Sequence, residues 1–230
     1  MGKGESFRDT LLTLSYMGTD AIVMRHSAEG APLYATKAVD PIIINAGDGA
    51  HEHPTQALLD MYSILEKKES IEGLKVVILG DIMHSRVARS NIYGLTKMGA
   101  KVHLAGPRTM VYPELEKLGV TVHHDIREAV ADADVVNVLR IQLERIHSAL
   151  YPTNREYARI FGINNDVLKL AKDDVMVMHP GPMNRGLEIA PDVAYSDQSV
   201  IQEQVRNGVA VRMAVLYLTI IGGDGSELAY

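Results

Sequence analysis

His53 and Gln56 stand three residues apart, at a point where the sequence changes from a strand pattern to a helix pattern. The apolar run 42–44 is typical of a short buried strand, and Pro54 suits the first turn of a helix. The polar residues of the stretch 45–56 are not required by packing. Because the amino terminus of a helix attracts anions, this stretch predicts a site for an anion or a polarised carbonyl.

Three arginines follow predicted strands at the point where each strand ends. Arg25 follows the first, Arg86 lies just beyond the third, and Arg140 follows the fifth. Ligands of parallel α/β sheets bind beyond the carboxyl ends of strands, and arginine suits bidentate binding of carboxylate or phosphate. Together they predict a pocket for a multiply anionic ligand. Taken singly, each would equally fit a surface residue or a structural ion pair.

An imidazole at a helix start can donate a hydrogen bond to a carbonyl oxygen that becomes negative during acyl transfer. The competing interpretation of His53 is a histidine hydrogen-bonded within its own loop. A metal site is also suggested by His51 and His53 with Glu52, and by the run 123–125. Neither group has two histidines at helical i, i+4 spacing or a third ligand nearby, so we expect neither a metal nor a cofactor.

The run 76–81 begins like the strand and turn of a dinucleotide-binding unit. It lacks the second and third glycines of that motif, and His84, Ser85 and Arg86 occupy the region where bare backbone would be needed. This argues against a nicotinamide cofactor.

His-Pro-Gly-Pro at 179–182 directly follows another predicted strand. Two prolines around one glycine predict a cis bond before Pro182, which would turn backbone carbonyls into a cleft as acceptors. A rigid turn without a ligand is the alternative. The nearby charges of Arg185 and Glu188 are expected to form an ion pair.

The chain has 230 residues, 47% of them hydrophobic, with a net charge of −6 and no cysteine. It can therefore bury a core, and disulfides, thiolate metal sites and cysteine nucleophiles are excluded. Lysine and arginine are dispersed, which argues against nucleic acid as a partner. No apolar run approaches the roughly 18 residues that span a bilayer, so a membrane is not expected. We predict a cytoplasmic protein.

Periodicity predicts helices that alternate with β-branched runs, and hence an α/β fold with parallel sheets. The helices are expected near 5–17, 55–67, 85–98, 112–118, 126–131, 154–159, 164–171 and 199–221. The strands are expected near 21–24, 41–44, 76–79, 102–104, 135–138 and 175–178. The weakly periodic segments 152–162 and 181–199 are expected to form mobile surface loops.

Four motifs in this order resemble those of the aspartate carbamoyltransferase family, whose members condense carbamoyl phosphate with L-aspartate in pyrimidine synthesis. They are Val-Met-Arg-His at 23–26, the stretch 45–56, Arg-Ile-Gln-Leu-Glu-Arg at 140–145, and the run that begins with His-Pro-Gly-Pro at 179–186. The likeness covers essentially the whole chain. The ornithine-using relative is disfavoured, because a cysteine is expected in two of its equivalent motifs and this chain has none.

The resemblance implies how the carbamoyl group would be bound. Arg25 and His53 would be the catalytic groups, which hold and polarise the carbamoyl carbonyl. Gln56 would accept a hydrogen bond from the carbamoyl amide, as would the backbone carbonyls of Gly181 and Pro182. The phosphate itself can take up the amine proton, so no side chain need act as the base.

The resemblance also implies an aspartate site and an assembly. Arg86, Arg140 and Gln142 would clamp aspartate. Lys3 would reach into the site of a neighbouring subunit, which implies a homotrimer with shared active sites. Dihydroorotase or a regulatory subunit is a further possible partner.

One family motif, a Ser-Thr-Arg-Thr-Arg helix start that holds the phosphate, does not occur in the sequence. We therefore expect the first of two parallel-sheet domains to be truncated, by roughly 75 to 80 residues of the family pattern. Residues 1–55 with 206–230 would form a partial carbamoyl-phosphate-binding domain, and 56–205 the aspartate-binding domain. The missing phosphate motif is expected to weaken substrate binding and catalysis by the chain alone, and a non-catalytic homologue or assembly subunit that binds a partner such as dihydroorotase is the alternative function.

Overall fold

The computed structural model of the protein describes residues 4–142, 151 and 153–222. Its first elements, in chain order, are helix α1 (Phe7–Tyr16), strand β1 (Ala21–His26), α2 (Ala31–Ala38), β2 (Ile42–Asp48) and α3 (Pro54–Lys68). The two strands pair in parallel, with Ala21 opposite Ile42 and Val23 opposite Ile44. They form a small sheet of their own.

The following elements build a second, larger parallel sheet. They are β3 (Lys75–Leu79), α4 (Arg86–Lys97), β4 (Lys101–Ala105), a 3₁₀ helix (Pro113–Leu118), β5 (Thr121–His123), α5 (Ile126–Val130), β6 (Val135–Val138), α6 (Asn154–Phe161), α7 (Asn165–Leu168), β7 (Met176–Met178), α8 (Pro191–Ala194) and α9 (Ile201–Ile220). The parallel α/β architecture predicted from the sequence is confirmed.

The strand order of the larger sheet is β5-β4-β3-β6-β7, and all its pairs are parallel. The chain leaves β3 toward β4 and β5, then returns to β6 on the other side of β3. Such a reversal opens a crevice at the carboxyl ends of the two central strands, where ligands of α/β proteins bind. The topology thus directs attention to the residues after Leu79 and Val138.

Both faces of the central strand β3 are buried, which explains its continuous β-branched run. Val76 and Ile78 belong to one apolar cluster, together with Ile92 of α4. Val77 and Leu79 belong to a second cluster on the opposite face. This alternation follows the two-residue period of a strand and places a layer of helices on each side of the sheet.

Helix α9 joins the larger sheet to the smaller one, as its length predicted. It packs against α3 and β7 through its first half, where Ile201, Gln204 and Asn207 are buried. Its second half is more exposed, and Leu216 there borders an apolar pocket with Val23 of β1. Within the described ranges, no helix is long and apolar enough to cross a membrane.

The expectation of a surface loop at 152–162 is wrong, since the helix predicted near 154–159 forms there, whereas 181–199 is irregular apart from one short helix. Helix α6 fills the first segment, capped by the Thr153 hydroxyl and anchored by Tyr157, which is 2% exposed. The second segment contains α8 and the buried residues Glu188 and Ile189. Burial of Tyr157 and of Glu188 with Ile189 anchors parts of both segments to the rest of the fold.

Candidate active site

A cleft of about 310 Å³ opens at the carboxyl ends of the strands, between the two sheets. It is lined by residues that follow or end five different strands: Arg25, His53, Gln56, Ser85, Arg86, Val87, Leu139, Arg140, Gln142, Pro180, Gly181 and Pro182. The structure therefore brings together every site residue predicted from the sequence except Lys3, which lies outside the described residues.

His53 forms the amino-terminal cap position of α3. Its backbone N–H donates to the Ser90 hydroxyl at 2.9 Å, and that hydroxyl in turn donates to the Glu52 carboxylate. If His53 were only a histidine hydrogen-bonded within its own loop, its ring would bond to that loop. Instead, Nδ1 of His53 is buried without a hydrogen-bond partner in the described part of the chain. The backbone is fixed while the ring stays available to a ligand.

The imidazole of His53 is neutral at neutral pH. Burial, and to a lesser extent the positive charges of Arg86, Arg212 and Arg25, together lower its pKa to about 4. A neutral ring carries one N–H, which it can donate to a carbonyl oxygen. The geometry and the charge state therefore fit a polarising group rather than a charged anion clamp.

Gln56 lies on the first turn of α3, with most of its surface buried. Its amide nitrogen donates to Oδ1 of Asp60 at 2.9 Å. With the nitrogen engaged by a carboxylate, the side-chain oxygen is left as an acceptor. An acceptor at this point of the cleft suits a ligand that presents N–H groups.

Arg86 begins α4, whose capping residue Ser85 accepts a hydrogen bond from the Ala88 N–H at 3.1 Å. The arginine is 5% exposed, and its Nη1 donates to the Gly49 carbonyl at 3.4 Å. A β-carbon at Gly47 would lie 2.8 Å from Cζ of Arg86. Only glycine at 47 leaves room for this guanidinium.

Arg140 and Gln142 flank the fully buried Ile141 in the segment after β6. The alternation points both polar side chains into the cleft and the isoleucine into the core. The backbone is held from the other side, because the Asn184 amide donates to the Ile141 carbonyl at 2.8 Å.

The turn after β7 contains a cis peptide bond between Gly181 and Pro182, as predicted from the sequence. His179 is buried beneath the turn and accepts the Gly181 N–H on Nδ1 at 2.9 Å. Its Nε2 therefore carries the proton and donates to Oε1 of Glu188 at 3.2 Å. His179 supports the turn from the core, while Gly181 and Pro182 line the cleft.

The expected Arg185–Glu188 ion pair is wrong. The Glu188 carboxylate is 1% exposed and accepts from His179 and from the Asn184 backbone at 2.6 Å. Arg185 lies instead over the ring of Tyr195, 5.5 Å from its centroid. A buried carboxylate needs fixed donors, and the folded turn supplies them closer than the exposed arginine does.

Ser85, Val87, Leu139 and Pro180 also line the cleft and were not predicted as site residues. The one available signal was that of Ser85, because serine before a helix pattern indicates a capping residue at a helix start. No group of three side chains in the described ranges could hold a metal ion.

Comparison with known protein families shows to which family this chain belongs. The family model for the carbamoyl-phosphate-binding domain of aspartate/ornithine carbamoyltransferases matches residues 1–66, and the model for their Asp/Orn-binding domain matches 72–219. The chain belongs to the aspartate/ornithine carbamoyltransferase family. The resemblance stated from its motifs is thereby confirmed.

Close relatives within the family carry the name aspartate carbamoyltransferase catalytic subunit. The protein from Desulforamulus reducens is 61% identical over 100% of this chain and 73% of its own length. That from Heliobacterium modesticaldum is 62% identical over 97% of the chain and 72% of its own length.

Solved structures of both branches share the fold. Aspartate transcarbamoylase from Trypanosoma cruzi, in complex with phosphate, superposes with a TM-score of 0.83 at 31% identity and covers 96% of this chain and 73% of its own. Ornithine carbamoyltransferase from Pyrococcus furiosus superposes with a TM-score of 0.83 at 32% identity, over 97% of this chain and 73% of its own length. The fold does not separate the two branches, whereas sequence identity to the curated relatives favours aspartate.

Proposed function

We propose that this chain transfers the carbamoyl group of carbamoyl phosphate to the amine of L-aspartate, giving N-carbamoyl-L-aspartate and phosphate, as in pyrimidine synthesis. The observation that carries the proposal is the cleft, where Arg25, Arg86 and Arg140 meet a neutral His53. Two anionic substrates need several cations, and acyl transfer needs a hydrogen-bond donor for the carbonyl oxygen. Relatives of about 60% identity bear the name of this activity.

In this proposal Arg25 and His53 polarise the carbamoyl carbonyl. The aspartate amine attacks the carbamoyl carbon, and the resulting oxyanion is stabilised by the guanidinium and the imidazole N–H. The C–O bond to phosphate then breaks, and the leaving phosphate takes up the amine proton. The N–H of neutral His53 donates to the carbonyl oxygen already in the ground state. This hydrogen bond becomes stronger as negative charge develops on the oxygen, and that gain is what lowers the barrier.

The carbamoyl NH₂ group needs acceptors, which Gln56 and the carbonyls of Gly181 and Pro182 would supply. Arg86 and Arg140 would bind the two carboxylates of aspartate, with Gln142 beside them. Holding both substrates in attacking geometry lowers the entropic part of the barrier.

The division into a carbamoyl-phosphate half and an aspartate half is part of the proposal. The two sheets support two units, and the predicted boundaries near 56 and 206 fall inside α3 and α9, the helices that connect the sheets. The family models meet between residues 66 and 72.

A homotrimer with shared sites, in which Lys3 reaches a neighbouring subunit, is supported by the resemblance of the Lys3 segment to the family's lysine loop. Mixing two inactive variants, Lys3→Ala and His53→Ala, tests it. Recovered activity in the mixture is expected, because some sites would combine two intact parts, and no recovery would contradict sharing. A dihydroorotase or regulatory partner and the cytoplasmic location stay predictions.

The activity is tested by measuring carbamoyl aspartate formed by the purified chain, alone and mixed with an amino-terminal fragment of the Desulforamulus reducens relative. Product in either case that disappears in the His53→Ala variant supports the proposal. Product from the chain alone would show that the phosphate motif is dispensable. No product in either case would overturn the proposal and favour the assembly subunit.

A further inference from the structure

Asp60 is fully buried on α3, one turn beyond Gln56, and three side-chain amides donate to its carboxyl group. Its Oδ1 accepts from the Gln56 side chain at 2.9 Å and from the Gln204 side chain at 2.8 Å. Its Oδ2 accepts from the Asn91 side chain at 2.8 Å. Burial raises the pKa of Asp60, while hydrogen bonds from Asn91, Gln204 and Gln56 oppose that rise.

The carboxylate determines which way the Gln56 amide faces. A glutamine side chain can rotate by a half turn and exchange its donor for its acceptor. Both Asp60 oxygens accept amide N–H groups, so the Gln56 nitrogen faces Asp60 and its oxygen is left for the cleft. If the Gln56 amide were reversed, its NH₂ group would face the cleft. It would then meet the NH₂ group of a ligand that carries one, and neither donor would find an acceptor.

The same carboxylate orients a second amide on another helix. Because Gln204 donates its nitrogen to Asp60, its oxygen is free to accept the His179 backbone N–H at 2.9 Å. His179 in turn holds the Gly181 N–H on its ring. One buried group therefore orients both the Gln56 amide and the turn whose carbonyls line the cleft.

We propose that Asp60 is a positioning residue that makes this end of the cleft an acceptor site, selective for an acyl phosphate whose acyl group carries NH₂. The inference rests on the proposed function, which places the carbamoyl group against Gln56 and the 179–182 turn. The new element is that the preference for an NH₂-bearing acyl group is set by Asp60, a residue that lies outside the cleft and touches no substrate.

Carbamoyl phosphate and acetyl phosphate are the matched probes, since a methyl group replaces NH₂ in the second. Replacement of Asp60 by Leu removes the acceptor and frees both amides to rotate. We expect the preference for carbamoyl phosphate over acetyl phosphate, measured as competing affinities, to fall about tenfold. Asp60→Asn keeps one acceptor oxygen for Gln56 and Gln204, so its preference should stay within about threefold.

Ser63→Ala is the matched control. Ser63 is buried on the same helix, donates to the Leu59 carbonyl and accepts from Asn207 of α9, and within the described residues it forms no hydrogen bond with Gln56 or Gln204. It should lose stability without any change in preference. A loss of preference in this control equal to that of Asp60→Leu would assign the effect to general loosening and overturn the proposal.

Hydrogen exchange of the His179 amide gives a readout that needs no substrate. Exchange should accelerate in Asp60→Leu relative to Ser63→Ala, because Gln204 no longer presents its oxygen. Should the leucine variant not fold, Asp60→Ser serves with the same expectations, since its shorter side chain cannot reach both glutamines.

The two proposals fail in different ways. A parent chain that binds neither acyl phosphate, alone or with the amino-terminal fragment, refutes the proposed function and the selectivity with it. A parent chain that prefers carbamoyl phosphate, with unchanged preference and unchanged His179 exchange in Asp60→Leu or Asp60→Ser, refutes the role of Asp60 alone.

Discussion

The guanidinium of Arg86 packs over the backbone of Gly47, where a β-carbon would lie 2.8 Å from both Cζ and Nε. Gly47 also has a φ of +118°, which residues other than glycine rarely adopt. This glycine, next to the last residue of β2, therefore fixes the position of an arginine that begins α4.

Gly47→Ala should displace Arg86 and raise the KM for aspartate about tenfold or more, since a bidentate contact would be lost. It should also lose about 1–3 kcal/mol of stability from backbone strain. Gly73→Ala is the control, because Gly73 has a φ of +77° and nothing within 4 Å of an added β-carbon. The Gly73→Ala control should lose stability through backbone strain but keep the KM for aspartate of the parent. Equal KM values in the two variants would contradict the role of Gly47.

The titration of His53 should have its midpoint at about pH 4, because burial and the three nearby arginines disfavour the imidazolium. In the unfolded chain the ring binds its proton near pH 6.5. The unfolded state therefore gains a proton first as the pH falls, and the folded state loses stability between about pH 6.5 and 4.

NMR titration of the ring protons measures the midpoint directly. The pH dependence of urea unfolding, compared between the parent and His53→Gln, isolates the contribution of this ring to stability. A midpoint above pH 6, or equal pH slopes in the two proteins, would contradict the environment described for His53.

Much of the fold was predictable because the central strands are buried on both faces. Continuous β-branched runs such as those of β3 and β6 arise from that burial. Helix α2 was missed because its buried positions are Ala31, Pro32 and Ala35, which give no strong apolar stripe. Strand β5 is a short edge strand of three residues, too brief to show a period.

The cleft residues were predictable where polar residues follow an apolar run, directly for Arg25 and Arg140 and after a short turn for Arg86. Asp60 and Gln204 gave no such signal, because a polar residue inside a helix pattern is usually solvated. Their burial depends on α3 and α9 packing together, which is a tertiary relationship. Glu188 was paired with the wrong residue for the same reason, since its partner His179 comes from the end of another element.

The core of the larger sheet supports a prediction about stability. Ile78 is completely buried at the centre of β3, so Ile78→Ala should cost about 2–5 kcal/mol of unfolding free energy. Ile160→Ala makes the same chemical change on α6 at a side chain that is 43% exposed, and it should cost less than about 1 kcal/mol. Urea unfolding measures both, and similar losses would argue against the described core.

The buried Glu188 supports a prediction about the turn after β7. Its carboxylate accepts from the His179 ring, the Asn184 backbone and the Asn184 side chain. Glu188→Gln turns one acceptor oxygen into a donor, which then faces one of these donors. A buried mismatch of this kind costs about 1–3 kcal/mol.

Because His179 and Asn184 hold the turn and the Ile141 backbone, Glu188→Gln should also weaken carbamoyl phosphate binding and raise the KM for aspartate. Glu203→Gln, an exposed position on α9, is the control and should change neither stability nor KM. Steady-state kinetics with both substrates, paired with urea unfolding, decide the matter. Lost stability with unchanged KM values would show that the turn keeps its shape without this carboxylate, and that Glu188 serves folding alone.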